Sequence, residues 1–373
     1  MTPSIPRKTF QLFLSLFLLA PSLLFAQSSP ATVAAVPSDS TQLAPDPQPP
    51  DAPAPWKQLV GIYRYSSNGS PNQSLVILER GQRLFLQPMD SAKPPEEIRE
   101  SGNLVSINDG SGRWFGYTEH RDATGTVSSL TYLQESFIRT DAGSDPSRFF
   151  RITPRKPLAD LRALALASHP PHESQSFRRP DLVELTTLDA SIRLDIRYAQ
   201  SNNFLSTPVY TQARAFMQRP AAEALARVSR KLQPLGFGLL IHDAYRPWYV
   251  TKIFWDATPP EDHQFVANPN EGSKHNRGCA VDLTLYGLAT ANPAEMPGLY
   301  DEMSPRSFPT FLGGTSLQRW RRDLLRRAME SEGFSVNESE WWHFDYKDWK
   351  HYPLINVPFE DLGNLLSNAT PAT

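Results

Sequence analysis

The sequence predicts two folded parts of different class in one chain, a small all-β part followed by a larger part in which helices and strands alternate. Three observations predict this. Between Trp56 and about Pro154, short runs rich in β-branched and aromatic residues are punctuated by turn-forming pairs. From about Asp181 onward the hydrophobic period changes, and helical spacing appears between short apolar runs. The length of 373 residues leaves room for both parts.

The N-terminus carries Arg7 and Lys8, then an apolar run from Phe10 to Ala26 broken by Gln11, Ser15 and Pro21-Ser22. A positive start, an apolar middle and a small residue at the end form a secretory signal pattern over residues 1–26, with Leu24 bulky for its place near the cut. The run is short for a membrane span and holds a proline, so it reads as a signal rather than an anchor. No cysteine follows it, which argues against a lipid anchor. The expectation is an exported, periplasmic protein with no stable membrane insertion once the signal is cleaved. Residues 27–55, centred on Pro45-Asp46-Pro47-Gln48-Pro49-Pro50, read as a disordered Pro-rich linker. The net charge of −2 implies no polyanionic partner, so no nucleic acid is expected. The single cysteine, Cys279, excludes an intrachain disulfide.

In the β part, residues 56–154, the candidate strands are Leu59 to Tyr65, Ser74 to Leu78, Arg83 to Gln87, Leu104 to Ile107, Trp114 to Tyr117, Val127 to Leu133 and Phe149 to Ile152. Ser67-Asn68-Gly69, Arg80-Gly81-Gln82, Asn108-Asp109-Gly110 and Thr124-Gly125 mark turns. Strands at this spacing predict a small sandwich or barrel. It holds no constellation of metal ligands or nucleophiles, and His120 stands alone as a surface residue. A binding or spacer role follows, with no ligand legible. Residues 155–180 read as a second linker with a helical piece near Leu158 to Ala167. His169-Pro170-Pro171-His172 resembles a metal pair, but its prolines and its linker setting favour a solvated turn.

The larger part spans residues 181–360, with a tail at 361–373. Ile192 to Tyr198 reads as a strand. Pro220 suits the first turn of a helix with Leu225, Val228 and Leu232 on its apolar side. After Gly236, Phe237 to Ile241 is a buried-type strand that runs into His242-Asp243-Ala244-Tyr245-Arg246-Pro247. Ser316 to Ser331 reads as a helix with Leu317, Trp320, Leu324 and Ala328 on one side and Gly333 to end it. Its arginines, at 319, 321, 322, 326 and 327, then fall mostly on a solvated face.

Two stretches carry chemistry: Ser273-Lys274-His275-Asn276-Arg277-Gly278-Cys279-Ala280-Val281-Asp282, and Glu340-Trp341-Trp342-His343. Together they supply two imidazoles and a carboxylate for a metal, and a second carboxylate for use as a base. Three protein ligands with one open position is what a catalytic zinc needs. Beyond Gly278, Val281, Leu283 and Leu285 should face the core, which turns Ala280, Asp282, Thr284 and Tyr286 the other way. An acid in such a run is costly unless it is paired, capped by a backbone amide or bound to a metal. Glu340 and His343 are three apart, so on a regular strand they would face opposite sides, and a turn or twist is needed to unite them. Trp341, Trp342 and Phe344 would wall the site or pack the core. Arg246, at a strand end before a proline, suits either an oxyanion or a salt bridge to Asp243. His242 reads as structural.

The region from about 181 to 359 resembles the zinc D-alanyl-D-alanine dipeptidases of the VanX type. The resemblance covers about half the chain. It rests on an ordered set: Asp195-Ile196-Arg197-Tyr198-Ala199 with Asn203-Phe204, Asp243-Ala244-Tyr245-Arg246-Pro247, Ser273-x-His275-x-x-Gly278-x-Ala280-x-Asp282, Tyr300-Asp301-Glu302-Met303, and Glu340-Trp341-Trp342-His343. The resemblance implies an α+β fold whose antiparallel sheet carries a zinc site. It implies His275, Asp282 and His343 as ligands of one Zn2+ per chain, Glu340 as general base and Arg246 as transition-state stabiliser. Tyr198, Ser273 and Asp301 would line the dipeptide pocket, Asp301 holding the free amine, and Asp243 would orient Arg246. Cys279 departs from the serine common at its position, and its pleat direction, opposite to Asp282, argues against a thiolate ligand. The added β part is a second departure. The resulting expectation is an exported zinc dipeptidase cleaving D-alanyl-D-alanine in cell-wall peptide turnover. The alternatives are a D,D- or L,D-carboxypeptidase acting on peptidoglycan stems and a non-catalytic wall-binding protein, the latter opposed by the intact set of site residues. Nothing in the sequence speaks to the oligomeric state.

Overall fold

The computed structural model describes residues 43–66, 74–89, 94–101, 104–108, 114–123, 125–132, 134–141 and 150–362. The predicted signal, residues 27–42 of the predicted linker, the tail beyond 362 and the turn at Ser67-Asn68-Gly69 lie outside the described residues. Among the described residues no helix is long and apolar enough to cross a membrane.

A short helix, α1 (Ala54–Leu59), leads into eight antiparallel strands. These are β1 (Gly61–Tyr65), β2 (Ser74–Glu79), β3 (Leu84–Pro88), β4 (Glu96–Ser101), β5 (Leu104–Asn108), β6 (Trp114–Arg121), β7 (Val127–Tyr132) and β8 (Glu135–Arg139). Each pairs with the next, and Tyr63↔Arg139 and Tyr65↔Phe137 join β1 to β8, so the sheet closes into a barrel. Closure removes the exposed sheet edges. Inward residues such as Tyr63, Ile77, Leu84, Leu86, Ile98, Val127 and Leu130 fill the interior, as expected when eight strands leave room only for side chains. β4 and β8 were not legible in the sequence. Ile98 is the one apolar residue of β4, and β8 has only the buried Phe137 and the exposed Ile138, too few to register as a run. Phe150 to Ile152 form no strand. The side chains of Phe150 and Ile152 pack on the second part's core, and Ile152 N donates to Phe204 O at 2.9 Å.

The second part contains α2 (Leu158–Leu166), β9 (Leu182–Glu184), α3 (Leu185–Leu188), β10 (Arg193–Leu194), β11 (Phe216–Gln218) and α4 (Arg219–Leu232). It continues with β12 (Phe237–Asp243), α5 (Trp248–Ala257), β13 (Ala280–Gly287), α6 (Ser316–Glu330), β14 (Phe334–Asn337) and β15 (Glu340–Tyr346). Its main sheet has the order β10-β12-β13-β15-β14, with β9 and β11 forming a separate pair. The architecture is α+β. The sheet is antiparallel except at one edge, where β10 runs parallel to β12. The strand expected over Ile192 to Tyr198 shrinks to β10, because Arg197–Ala199 turn into a single 3-10 turn. α4 buries Leu225, Val228 and Leu232 as its period requires. α6 starts at a capping box between Thr315 and Gln318.

Three sequence expectations are corrected here. Residues 43–53 are not a loose tether: Leu43 is buried, its carbonyl accepts from Arg327 Nε at 2.5 Å, and Asp46 O accepts from Trp320 Nε1 at 3.1 Å. Residues 155–180 are not a free linker: α2 buries Leu161 and Ala165 in the main core, and Glu173 receives Arg277 Nη2 at 2.7 Å and Leu354 N at 2.8 Å. The α6 arginines are not mostly solvated: Arg322 is buried, Arg319 donates to Glu79 O in the barrel at 2.7 Å, and Arg327 holds Leu43. Each correction has the same origin. Hydrogen bonds, ion pairs and apolar contacts join residues far apart in the chain, which leaves no local pattern.

Candidate metal and active site

The site is built on the strand ends of β12, β13 and β15. After Ser273 the chain makes one 3-10 turn, His275–Arg277, which Gly278 ends at φ 67°. That left-handed backbone favours glycine, and a Cβ there would stand 2.4 Å from a Leu182 methyl, which would have to move aside. Ser273 Oγ accepts from His275 N at 3.2 Å, and Asn276 ties the turn to Arg246 O and Thr251 Oγ1 at 2.9 and 2.8 Å. His275 thus leaves the turn facing the same cleft as Asp282 on β13.

The twist that Glu340 and His343 require is present as an irregularity in the ladder. β14 and β15 pair one to one from Phe334↔Tyr346 to Val336↔Phe344, and then the register jumps to Asn337↔Glu340. A break of this kind re-aims side chains. It leaves Glu340 Oε2 3.7 Å from His343 Nδ1. On the other side of β15, His343 sits opposite Asp282 in the β13 ladder.

His275 Nε2 lies 3.3 Å from Asp282 Oδ1 and 3.1 Å from His343 Nδ1, and His343 Nδ1 lies 3.0 Å from the same Asp282 oxygen. The outward nitrogens are occupied. His275 Nδ1 donates to Ala244 O at 2.6 Å, and His343 Nε2 donates to Asp345 Oδ1 at 2.9 Å. Such outer partners fix the ring tautomers and turn the remaining lone pairs inward. Asp282 Oδ1 is buried and has no hydrogen bond of its own. Three donor atoms this close need a positive charge between them, either a proton or a cation. Burial disfavours charge on His343, but Asp345 and Asp282 outweigh it and hold the imidazole well above its ordinary value when no cation is present. The donor set, two imidazoles and one carboxylate, fits a divalent metal ion.

Arg246 projects beside this cluster. Its Nε and Nη2 both lie 2.8 Å from Asp243 Oδ2, and Nη2 is 3.7 Å from Asp282 Oδ2. The guanidinium also stands over the Phe254 ring, 4.7 Å from its centroid. The salt bridge to Asp243 and the aim toward the site are therefore the same arrangement. Glu340 faces the cleft too. Burial pushes its carboxyl up to about 7, with His343 opposing and Asp282 adding to the push. Further along, Tyr198 OH reaches both oxygens of Asp301, at 3.2 and 3.0 Å. Burial, then Asp282, raise the Asp301 carboxyl well above the usual carboxylate range. The cleft has a volume of about 480 Å³, and Tyr198, Arg246, Ser273, Asp301 and Glu340 line it together with the candidate ligands.

Residues 178–361 match the profile of the peptidase M15 family, described as D-ala-D-ala dipeptidase. The chain is 35% identical over 179 residues to a D-alanyl-D-alanine dipeptidase of Escherichia coli, covering 48% of this chain and 91% of that one. It is 35% identical over 190 residues to a Streptomyces coelicolor D-alanyl-D-alanine dipeptidase (46% and 94% covered) and 33% identical over 188 residues to one of Enterococcus faecalis (46% and 89% covered). The chain belongs to the D-alanyl-D-alanine dipeptidase family. It is a metallopeptidase of the dipeptidase type.

For this dipeptidase, several supporting residues were not singled out from the sequence. Asp345 holds His343, and Lys274 Nζ in turn pairs with Asp345 at 2.9 Å. The two-residue spacing from His343 along a strand was a usable signal for Asp345. Tyr210 OH donates to Asp243 Oδ1 at 2.7 Å, a contact across 33 residues with no local trace. Tyr300 OH donates to Asp282 Oδ2 at 3.1 Å and flanks Asp301 in sequence. Other candidates fall away from the dipeptidase cleft. Cys279 is buried with the core set, where burial pushes its thiol up. His242 lies against Tyr300 in a tilted ring pair 4.6 Å between centroids, and burial lowers it to about 4. His120, His169 and His172 are exposed.

Proposed function

We propose that the protein is an exported zinc dipeptidase that hydrolyses D-alanyl-D-alanine, serving the turnover or salvage of cell-wall peptides. The observation that carries the reading is the convergence of His275, Asp282 and His343 on one point, with Glu340 and Arg246 beside it. These three residues would hold one zinc ion, which when bound supplies a Lewis acid for the scissile carbonyl and its water.

The chain's own groups account for the rest. Glu340, facing the cleft with its Oε2 3.7 Å from His343 Nδ1, is placed to take a proton from water and return it to the leaving amine. Arg246, held on two sides by Asp243 and Phe254, presents a fixed positive charge where the oxyanion grows. Asp243 orients it and is itself oriented by Tyr210. Asp301 and Tyr198 would receive the substrate ammonium, whose charge offsets the burial of the carboxylate. Ser273 and Trp342 line the cleft alongside. A free amino terminus at Asp301 favours a dipeptide over an acylated stem, which supports dipeptidase action over the carboxypeptidase alternative. Export rests on the signal pattern of residues 1–26 and places the substrate among released wall peptides.

The test is hydrolysis of a panel of D,D, L,D and L,L dipeptides by metal-loaded protein, together with N-terminal sequencing of the chain from the producing cell. Fastest turnover on D-alanyl-D-alanine and a mature N-terminus near residue 27 are expected. Preference for an L,L dipeptide, or an intact Met1 on the cellular protein, would overturn the corresponding half of the reading.

A further inference from the structure

The barrel lies outside the family match, yet it is joined by buried charge to the loop that carries Asp301. Asp301 has φ 57°, in the left-handed region that aspartate tolerates better than most non-glycine residues. The contacts that hold this loop run through Glu302. Its Oε2 accepts from Leu299 N at 2.9 Å, its Oε1 accepts from Ser304 Oγ at 2.8 Å, and Arg306 Nη1 lies 3.5 Å from the same Oε1. Arg306 is locked in turn by Pro297 O, which accepts from its Nε at 2.8 Å. Its own carbonyl lies 2.7 Å from where a Cβ on Gly298 would stand, an approach that only glycine permits.

The same Arg306 Nη1 also lies 3.5 Å from Asp141 Oδ1, so one buried guanidinium nitrogen is shared by the two carboxylates as an ion pair. Asp141 belongs to the barrel: it follows β8, accepts from Arg139 Nε at 2.9 Å and from the backbone N–H of Ile62 in β1. The side chains of Asp141, Arg306 and Glu302 are nearly all buried, at 1%, 5% and 6% exposure. Burial works against the Asp141 charge, but Arg306 and Arg139 hold its carboxyl below the ordinary range. The segment that follows the loop is fastened to the barrel as well. Phe311 packs with Ile62, Val76 and Leu78, and Glu79 N donates to Gly314 O at 3.1 Å.

We infer that the barrel is a positioning element for substrate recognition: Asp141, acting through Arg306 and Glu302, holds the 299–307 loop so that Asp301 faces the cleft. The inference rests on the reading of Asp301 as the partner of the substrate ammonium, and its test separates the two. In the full chain, Asp141→Asn should speed amide hydrogen exchange across 299–307 while leaving β13 and β15 unchanged. Its KM for free dipeptide should rise by about 2- to 30-fold, the range that remote couplings of this size reach, with kcat and metal content nearly unaltered. Asp141→Glu should restore part of the loss. If Asp141→Asn does not fold, Arg306→Gln removes the same ion pair from the catalytic side and carries the same expectations.

Unchanged exchange in 299–307 would overturn the brace. Faster exchange with an unchanged KM, in a protein whose Asp301→Asn does raise KM, would overturn its reach into recognition. An Asp301→Asn without effect on KM would refute the ammonium reading and this inference's functional half together, and the exchange data would then decide the brace alone.

Discussion

Asp282 on β13 stands directly across the ladder from His343 on β15, and its Oδ1 lies 3.0 Å from the inward nitrogen of that histidine. A cross-strand pair of this kind is rigid, because both backbones are held by ladder bonds. His275 completes the set from a glycine-ended turn, and Asp345 and Ala244 fix the ring orientations from behind.

The first prediction follows from that geometry. Protein purified without chelator should contain about one zinc ion per chain, as a three-ligand site with one open position implies. His275→Ala and His343→Ala should lose it, and Asp345→Asn should weaken binding by about 10- to 100-fold, as removal of an outer partner does. Metal analysis by mass spectrometry decides the point, and full occupancy in both histidine variants would contradict the assignment.

Glu340 and Arg246 should separate from the ligands. Glu340→Ala should keep its metal and lose turnover by about 10²- to 10⁴-fold, the usual cost of removing a general base. Arg246→Ala should also keep its metal and lower kcat by about 10²- to 10³-fold, as loss of an oxyanion donor does. Metal content and kcat measured side by side check both. A metal-free Glu340→Ala protein would make Glu340 a ligand and reopen the role of Asp282.

The acid limb of the pH profile is the third prediction. Glu340 works as a base only when ionised, and burial raises it to about 7 in the cation-free site. A bound cation lowers it, since positive charge favours the carboxylate. The log of kcat/KM should therefore rise with pH along a limb centred below 7 and then level off as Glu340 ionises. Glu340→Gln should remove that limb from the residual activity. A limb of the same midpoint in Glu340→Gln would assign the titration to another group.

Asp301 sets the fourth. N-acylation of the substrate removes the ammonium and leaves the buried carboxylate without its counter-charge, at a cost of roughly several kcal/mol. The enzyme should cleave free D-alanyl-D-alanine and reject N-acylated dipeptides and pentapeptide stems. Asp301→Asn should slow the free dipeptide reaction and narrow that preference. Competitive assays with both substrate types measure the ratio, and efficient release of terminal D-alanine from a stem would promote the carboxypeptidase alternative.

Much of the catalytic half was legible because its signals are local. The alternation of Val281, Leu283 and Leu285 against Asp282 places the acid on the cleft side of β13. The period of α4 and the turn at Gly278 were equally readable. β4 and β8 were not, because a barrel strand with one buried apolar side chain among mostly polar and charged residues has no apolar run to detect.

Residue chemistry by itself determined the candidate ligand types, the family and the two-part organisation, since each is written in short segments or in their order along the chain. Tertiary structure decided the rest. It brought Glu340 and His343 to one side through a break in the β14–β15 register that no three-residue spacing reveals. It closed eight strands by pairing β1 with β8, more than seventy positions apart in the chain. It also turned Leu43 and Asp46, the stretch 155–180 and the α6 arginines from apparent solvent-facing segments into fastenings. Hydrogen bonds and buried ion pairs between distant segments depend on distance in space and burial from water, and neither quantity is expressed in a sequence until the chain has folded.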